Sequence, residues 1–323
     1  MTTLEARVPD AGSGGAVHTG AAAEPRARAR PPRPPARAGL PRAYLELTKP
    51  GITRMVVVTT AAGFYMAARG GIDWFLLLHT LVATALVASG CNAFNQILER
   101  DADARMKRTA RRPLPSGRLG TAEAYAFSVF ISAVGLVQLV VFVNLLTAVL
   151  VAASLASYVW IYTPMKKATW VATWVGAVPG ALPILAGWTA AGGGLDAVGW
   201  ALFAILFLWQ MPHFFALAWI YRDDYSRGGF RMLTVVDPSG RRSGRQAVLF
   251  ALLLIPASLL PSVLGVAGQL YLGAALILGV AFTALAVRHA MRRTDRDAWG
   301  LFIGSIAYLP LLLLLLAIDK LPY

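Results

Sequence analysis

The sequence predicts an all-α polytopic membrane protein with nine transmembrane helices. Three observations carry that expectation. First, 57% of the 323 residues are hydrophobic and 14% are charged, against roughly 25% charged in a soluble domain. The mean hydropathy is +0.59. Second, the apolar residues gather into nine stretches, near 52–69, 74–94, 122–143, 145–163, 169–190, 198–220, 246–266, 269–288 and 298–317. Each can cross ~30 Å of hydrocarbon at about 1.5 Å per residue. Most are apolar all round, as spans are and amphipathic core helices are not. Pro179, Pro183, Pro212, Pro256 and Pro310 fall inside them, which embedded helices tolerate when neighbours satisfy the freed carbonyls. Third, the basic residues alternate. Of 30 Lys and Arg, 28 lie before residue 55 or in the loops 99–118, 164–168, 221–245 and 288–297; only Arg69 and Lys320 lie elsewhere. That bias predicts a cytoplasmic N-terminus and an outside C-terminus.

The chain divides at residue 42. Residues 1–42 are rich in Ala, Pro, Gly and Arg, with Pro31-Pro32-Arg33-Pro34-Pro35 at their centre. They hold too few bulky apolar side chains to bury a core, and read as a disordered basic cytoplasmic tail. They lack the apolar centre of a signal peptide. Residues 43–323 form the membrane domain. The net charge of +14 in so apolar a chain points to a membrane surface or an anionic substrate rather than nucleic acid. The one cysteine, Cys91, and the four scattered histidines exclude an internal disulfide framework and a Cys- or His-rich metal cluster.

The chemistry sits in the two long basic loops. After span 2, Asn95, Glu99 and Asp103 recur at four-residue spacing. If span 2 continues as a helix beyond the membrane, they stack on one face and Asp101 points away. Stacked carboxylates repel unless a cation lies between them, and hard oxygen donors select Mg²⁺ or Ca²⁺. Arg105, Lys107, Arg108, Arg111 and Arg112 follow. Acids beside forked guanidinium groups suit a Mg²⁺-diphosphate; a solvated interfacial helix is the plainer alternative. After span 6 come Tyr221-Arg222-Asp223-Asp224-Tyr225. Spans 2 and 6 lie four apart, which suggests a duplicated four-helix unit plus a ninth helix, with a site between the repeats. Here the plainer alternative is pairing of Asp223 and Asp224 with Arg222 or Arg227. His213 lies 11 residues before Asp224, roughly 16 Å deeper along a straight helix. It is a functional candidate by its intramembrane place, or a partner for the carbonyl that Pro212 frees. Lys166 and Lys167 are orientation signals, phosphate donors or both. Trp170, Trp188, Trp200 and Trp299 read as interface belts.

Asn95-x-x-x-Glu99-x-x-x-Asp103 with a second acidic motif after span 6 resembles the UbiA-type intramembrane prenyltransferases. The finer pattern is similar to their protoheme IX farnesyltransferase (heme O synthase) branch. It includes Asp101-x-Asp103-x-x-Met106-x-Arg108-Thr109-x-x-Arg112-Pro113, Leu47-Thr48-Lys49-Pro50, Tyr162-Thr163, Gly187-Trp188, Trp209-Gln210-x-Pro212-His213-Phe214 and Asp224-Tyr225. The resemblance covers about residues 45–318. Gly51 and Ile184 depart from it, where the branch often has Arg and a second Pro. It implies a nine-span helical fold in the cell (inner) membrane and transfer of a farnesyl group from farnesyl diphosphate to a vinyl group of heme B, giving heme O. It also implies a downstream heme-modifying enzyme as a partner. By the same resemblance, Asn95, Glu99, Asp103 and Asp224 would hold Mg²⁺-diphosphate. Arg108, Arg112, Lys166 and Arg222 would bind phosphate oxygens or heme propionates. Tyr162 and Tyr221 would face the allylic cation, and His213 would orient heme or water.

Two other readings remain open at this stage. One is the same fold acting on an aromatic quinone precursor, against which stand the Trp-Gln-x-Pro-His-Phe run and Glu99 in the first motif. The other is a transporter, whose charges would lie nearer the bilayer midplane than these acids do.

Overall fold

The computed structural model describes residues 39–322. A short helix, α1 (Leu40–Leu47), precedes α2 (Pro50–Ala67), α3 (Trp74–Leu98), the short α4 (Arg100–Arg105) and α5 (Thr121–Phe142). Next comes one continuous rod of α6 (Leu145–Ala156), a π-helical stretch (Ser157–Tyr162) and α7 (Thr163–Ala168). The second half holds α8 (Ala172–Ala190), α9 (Ala197–Ile220), the short α10 (Arg222–Gly228) and α11 (Leu233–Val236), then α12 (Arg241–Val263), α13 (Gln269–Arg292) and α14 (Asp295–Ile318). Among the described residues the only extended pairing is an isolated antiparallel bridge between Ala267 and Lys320.

All nine apolar stretches fall on helices. Seven of these are long and apolar enough to cross a membrane: α3, α5, the α6–α7 rod, α9, α12, α13 and α14. The other two, α2 and α8, leave the expected count of nine unconfirmed. Both reach span length, 18 and 19 residues, but Thr, Gly, Pro and Arg54 dilute their apolar content. They pack closely on each other. A Cβ on Gly63 of α2 would lie 1.9 Å from the Ile184 carbonyl oxygen, and one on Gly187 of α8 would lie 1.9 Å from that of Thr60. Only glycine permits so close a backbone approach, the usual means of joining helices in lipid.

Helix starts follow side-chain caps. The carboxylates of Asp73 and Asp196 and the amide oxygen of Asn144 accept the free N–H groups of Leu76, Gly199 and Thr147 at 2.9, 2.9 and 2.8 Å, as N-caps do. The tail boundary moves. Residues 1–38 lie outside the described part, but α1 begins at Leu40, so residues 40–42 are helical. Pro41 opens that helix, and Leu47 is buried with Ala93, Leu114 and Leu119. Trp188 is also corrected: it is buried, with its indole N–H donated to Asp196. Trp200 and Trp299 are exposed, as belt residues are.

Candidate active site

Three chain breaks bring the predicted residues together. The first is at Lys49. A residue before proline avoids the right-handed helical region, and Lys49, ahead of Pro50, takes φ 49°. This left-handed conformation is uncommon for a side-chain-bearing residue. It turns the ammonium onto Asn95 Oδ1 at 2.6 Å.

The second break ends α3. Glu99 leaves helical geometry (φ −99°, ψ 5°), and α4 resumes at Arg100. The four-residue bonds still run through it, Glu99 N–H to the Asn95 carbonyl at 3.0 Å and Asp103 N–H to the Glu99 carbonyl at 2.7 Å. The expected ladder therefore survives the break. Asn95, Glu99 and Asp103 are 1%, 5% and 0% exposed, while Asp101 is on the outside.

The third break is the π-helical stretch. Pro164 has no N–H to donate, so the preceding turn widens. Both the backbone N–H and the hydroxyl of Thr163 donate to the Tyr158 carbonyl. The wide turn brings Thr163 Oγ1 within 3.4 Å of the Asn95 amide nitrogen. It also sets Lys166 beside the ladder, its Nζ 2.5 Å from Glu99 Oε1 and 4.6 Å from the Tyr162 ring centre. The Tyr162 ring occupies the space over Gly176, where a Cβ would be 2.4 Å away.

Each rung thus meets one cation: Lys49 on Asn95, Lys166 on Glu99, and Arg112 on Asp103 at 2.8 Å. Desolvation, with the Arg112 charge beside it, pushes the Lys49 ammonium down to about 7, while Glu99 and Asp103 oppose the shift. Thr109 ties the loop back, its hydroxyl donating to the Asp103 carbonyl at 2.9 Å. Removing Arg112 would leave a buried carboxylate uncompensated, a loss of about 3–5 kcal/mol in such pairs.

Asp224 closes the site from α10, which packs on α4. Its carboxylate accepts the backbone N–H groups of Lys107 at 3.0 Å and Arg108 at 3.4 Å, and pairs with Arg227. Burial raises its pKa, but the Arg227 and backbone hydrogen bonds outweigh that, leaving it lowered. The Arg108 guanidinium lies 4.6 Å over the Tyr221 ring. Ala102, Met106, Ala218, Phe230 and Met232 form the apolar seal beneath this junction.

Arg222 is placed differently from the expectation, and His213 lies deep in α9, apart from the ladder. Arg222 faces away from the ladder. It bonds Asp295 at 2.7 Å and the Trp219 carbonyl at 2.8 Å, because α10 starts next to α14. His213 bonds Ser305 Oγ at 2.7 Å and stacks between Trp209 and Phe302. His79 bonds Gln138 at 2.9 Å. Lys49, Thr163, Thr109 and Arg227 were not among the expected site residues. The Lys-Pro pair at the entry to α2 was the one legible sign of Lys49.

Among the described residues no three His, Cys, Asp or Glu side chains converge enough to hold a metal alone. The donors nevertheless fit a hard cation. Asp103 Oδ1 is buried without a hydrogen-bond partner. Mg²⁺ typically takes one or two carboxylates and completes its shell with phosphate oxygens and water.

Residues 56–314 match the model of the UbiA prenyltransferase family. The chain belongs to that family. A Solibacter usitatus protein named protoheme IX farnesyltransferase is 49% identical over 288 residues, covering 86% of this chain and 99% of that protein. One of the same name from Salinibacter ruber is 44% identical, covering 85% and 98%. Solved structures share the UbiA fold. One of digeranylgeranylglyceryl phosphate synthase superposes with a TM-score of 0.73 at 20% identity, covering 86% of this chain and 97% of that one. A UbiA homolog from Archaeoglobus fulgidus bound to GPP and Mg²⁺ gives 0.62 at 15%, covering 85% and 99%. This UbiA-family chain is therefore a multi-pass membrane prenyltransferase.

Proposed function

We propose that the chain transfers the farnesyl group of farnesyl diphosphate to a vinyl group of protoheme IX, with water completing the hydroxyethylfarnesyl substituent of heme O. The observation that carries this reading is the buried, cation-matched ladder in a chain 49% identical to a named protoheme IX farnesyltransferase across nearly that protein's whole length.

The reaction begins by breaking the allylic C–O bond, and the electron pair leaves on diphosphate. Bound Mg²⁺ would supply positive charge against that oxyanion, held by Asn95, Glu99, Asp103 and Asp224. Lys49, Lys166, Arg112 and Arg108 take the remaining phosphate oxygens. Each already makes a carboxylate, amide or ring contact, at 2.6, 2.5, 2.8 and 4.6 Å in turn, that it can exchange for phosphate without leaving the site. Preorganised cations of this kind need little rearrangement as charge develops. Tyr162 and Tyr221 present ring faces toward the allylic cation. The apolar helices above exclude bulk water until the vinyl group has attacked. His213, fixed by Ser305, contributes on the heme side, with the propionates reaching back to the basic loops. The ladder faces the cytoplasm, with the N-terminus inside and the C-terminus outside the cell (inner) membrane, on the strength of the sequence bias that puts 28 of 30 Lys and Arg before residue 55 or in alternate loops.

The test is mass spectrometry of hemes after incubating purified protein with heme B, farnesyl diphosphate and Mg²⁺. Formation of heme O supports the proposal. Prenylation of 4-hydroxybenzoate in place of heme would move it to the quinone branch.

A further inference from the structure

We propose that His213 Nε2 is the axial ligand of the iron of the heme B substrate, so that α9 holds the macrocycle by a bond to its metal. The inference rests on the reading of heme B as the acceptor, and it names the atom of this chain that binds it.

The protons of one short hydrogen-bond chain carry the argument. Ser305 Oγ lies 2.5 Å from the Phe302 carbonyl oxygen and 2.7 Å from His213 Nδ1. A carbonyl oxygen can only accept, and a serine hydroxyl has a single proton to give. That proton goes to Phe302. Ser305 Oγ is therefore an acceptor toward the ring, and Nδ1 of the neutral imidazole carries its N–H. The lone pair is left on Nε2. That atom has no hydrogen-bond partner among the described residues, yet it is not closed off by the packing. A metal-ligating histidine is built this way: its second nitrogen donates to an oxygen that fixes the tautomer and the direction of the ring.

The other two described histidines do not offer the same atom. His79 Nδ1 accepts the Gln138 amide N–H, so its Nε2 holds the proton. His289 is 0% exposed, with both ring nitrogens buried.

The plane of the His213 ring is fixed as well. Trp209 lies 5.3 Å from it at 28°, and Phe302 lies 4.9 Å from it at 35°. Flanking rings resist its rotation, so Nε2 keeps one direction. Joining α9 to α14 does not require His213, because the Trp209 indole N–H already donates to the Ser305 carbonyl at 2.8 Å.

The position suits the substrate. His213, Leu217 and Tyr221 recur at four-residue spacing along one half-buried face of α9. Pro212 precedes this stretch and does not interrupt it. Tyr221 lies about 12 Å along the helix from His213, and its ring meets the Arg108 guanidinium at 4.6 Å. A macrocycle bound at His213 can lie over Leu217 with its carboxylates toward Arg108.

The test loads the full chain in detergent with heme B, without farnesyl diphosphate, and reads the iron–histidine stretch of the ferrous state by resonance Raman. Wild type should show that band. His213→Ala should lose it while still binding Mg²⁺-farnesyl diphosphate, which reports that the variant is folded. Ser305→Ala should keep the band at a lower frequency, because Nδ1 loses its acceptor and the ring becomes a weaker donor; a packing role for His213 would not move it. His79→Ala should match wild type. A band that persists in His213→Ala would overturn the proposal, since another residue would then be the ligand. Bound heme without the band in wild type would also overturn it, and if that protein still forms heme O the functional reading survives on its own. A wild-type protein that retains no heme B would overturn both.

Discussion

The α3–α4 and α9–α10 junctions use one backbone device for two tasks. In each, a long helix ends at a residue just outside helical geometry, Glu99 (φ −99°, ψ 5°) or Tyr221 (φ −106°, ψ 21°). A short helix then opens with Arg-Asp, Arg100-Asp101 or Arg222-Asp223. Both arginines turn outward to clamp the start of another helix. Arg100 bonds the Thr121 hydroxyl at 3.3 Å, and Arg222 bonds Asp295. The wiring of the acids differs. At the first junction they meet cationic side chains, Lys166 and Arg112, which under the proposed function a diphosphate would draw away. At the second, Asp224 meets backbone N–H groups that no ligand can displace by rotation, and an exposed Arg227. The first junction is arranged to exchange partners. The second, besides offering Asp224 to the proposed metal, holds the Lys107–Arg108 loop in place.

The largest expected effect falls on the first junction. Asp103→Ala removes the buried carboxylate and should lower kcat/KM for heme prenylation by ~10²-fold or more, the scale of losing one preorganised group at a developing charge. Asp101→Ala should stay within about twofold, because exposed substitutions away from such features cost little. Steady-state rates on both variants check this, and equal damage would refute the one-face ladder.

The second junction should respond differently. Asp224→Asn keeps an acceptor for one backbone N–H but loses the ion pair with Arg227. The loop loosens, so we expect KM for farnesyl diphosphate to rise by about tenfold with a smaller change in kcat. Arg227→Gln should cost less than about 1 kcal/mol of binding, since that partner is exposed. A kcat collapse at Asp224→Asn with KM intact would show that both junctions do the same job.

The sequence already contained the ladder, because a four-residue spacing survives a single non-helical residue when the i to i+4 bonds run through it. It also contained the helices, whose caps at Asp73, Asn144 and Asp196 mark their starts. Direction was not legible. The family resemblance implied a phosphate-binding role for Arg222, and only the neighbouring start of α14 turns it to Asp295. The π-helical stretch, which seats Lys166, follows from Pro164 only once the crowded packing of Tyr162 over Gly176 is known. The Trp209-Gln210-x-Pro212-His213 run is used largely for helix contacts. Trp209 and His213 both bond Ser305 on α14, and Gln210 bonds the Ala177 carbonyl on α8. If His213 nevertheless has the proposed heme-side role, His213→Ala should lower use of heme B by roughly tenfold while leaving Mg²⁺-dependent binding of farnesyl diphosphate near wild type. Ser305→Ala should show a weaker form of the same split. Parallel loss of both ligands, measured by calorimetry in detergent, would make His213 a packing residue alone.

The smallest expected effect concerns what anchors the first junction's loop from outside. Arg118 bonds Glu46 of α1 at 2.5 Å and also the Arg111 carbonyl, so α1 braces the segment that carries Arg112. The Arg118 hydrogen bond is the main cause of a lowered Glu46 pKa, with Arg42 adding to it and desolvation opposing. A carboxylate lowered by folding contributes stability that is complete above its ordinary value and is lost as pH falls through its folded value. The brace should therefore hold at neutral pH and fail in acid, as the pH falls from the ordinary glutamate range through the lowered folded value. Glu46 is partly exposed, so the contribution should be under about 1 kcal/mol. Glu46→Gln should lower the unfolding temperature slightly at neutral pH and match wild type in acid. The second junction offers the control, since Asp223 is exposed and braces nothing comparable. If Asp223→Asn reproduces the acid dependence of Glu46→Gln, the effect is general surface charge and α1 does not brace the loop.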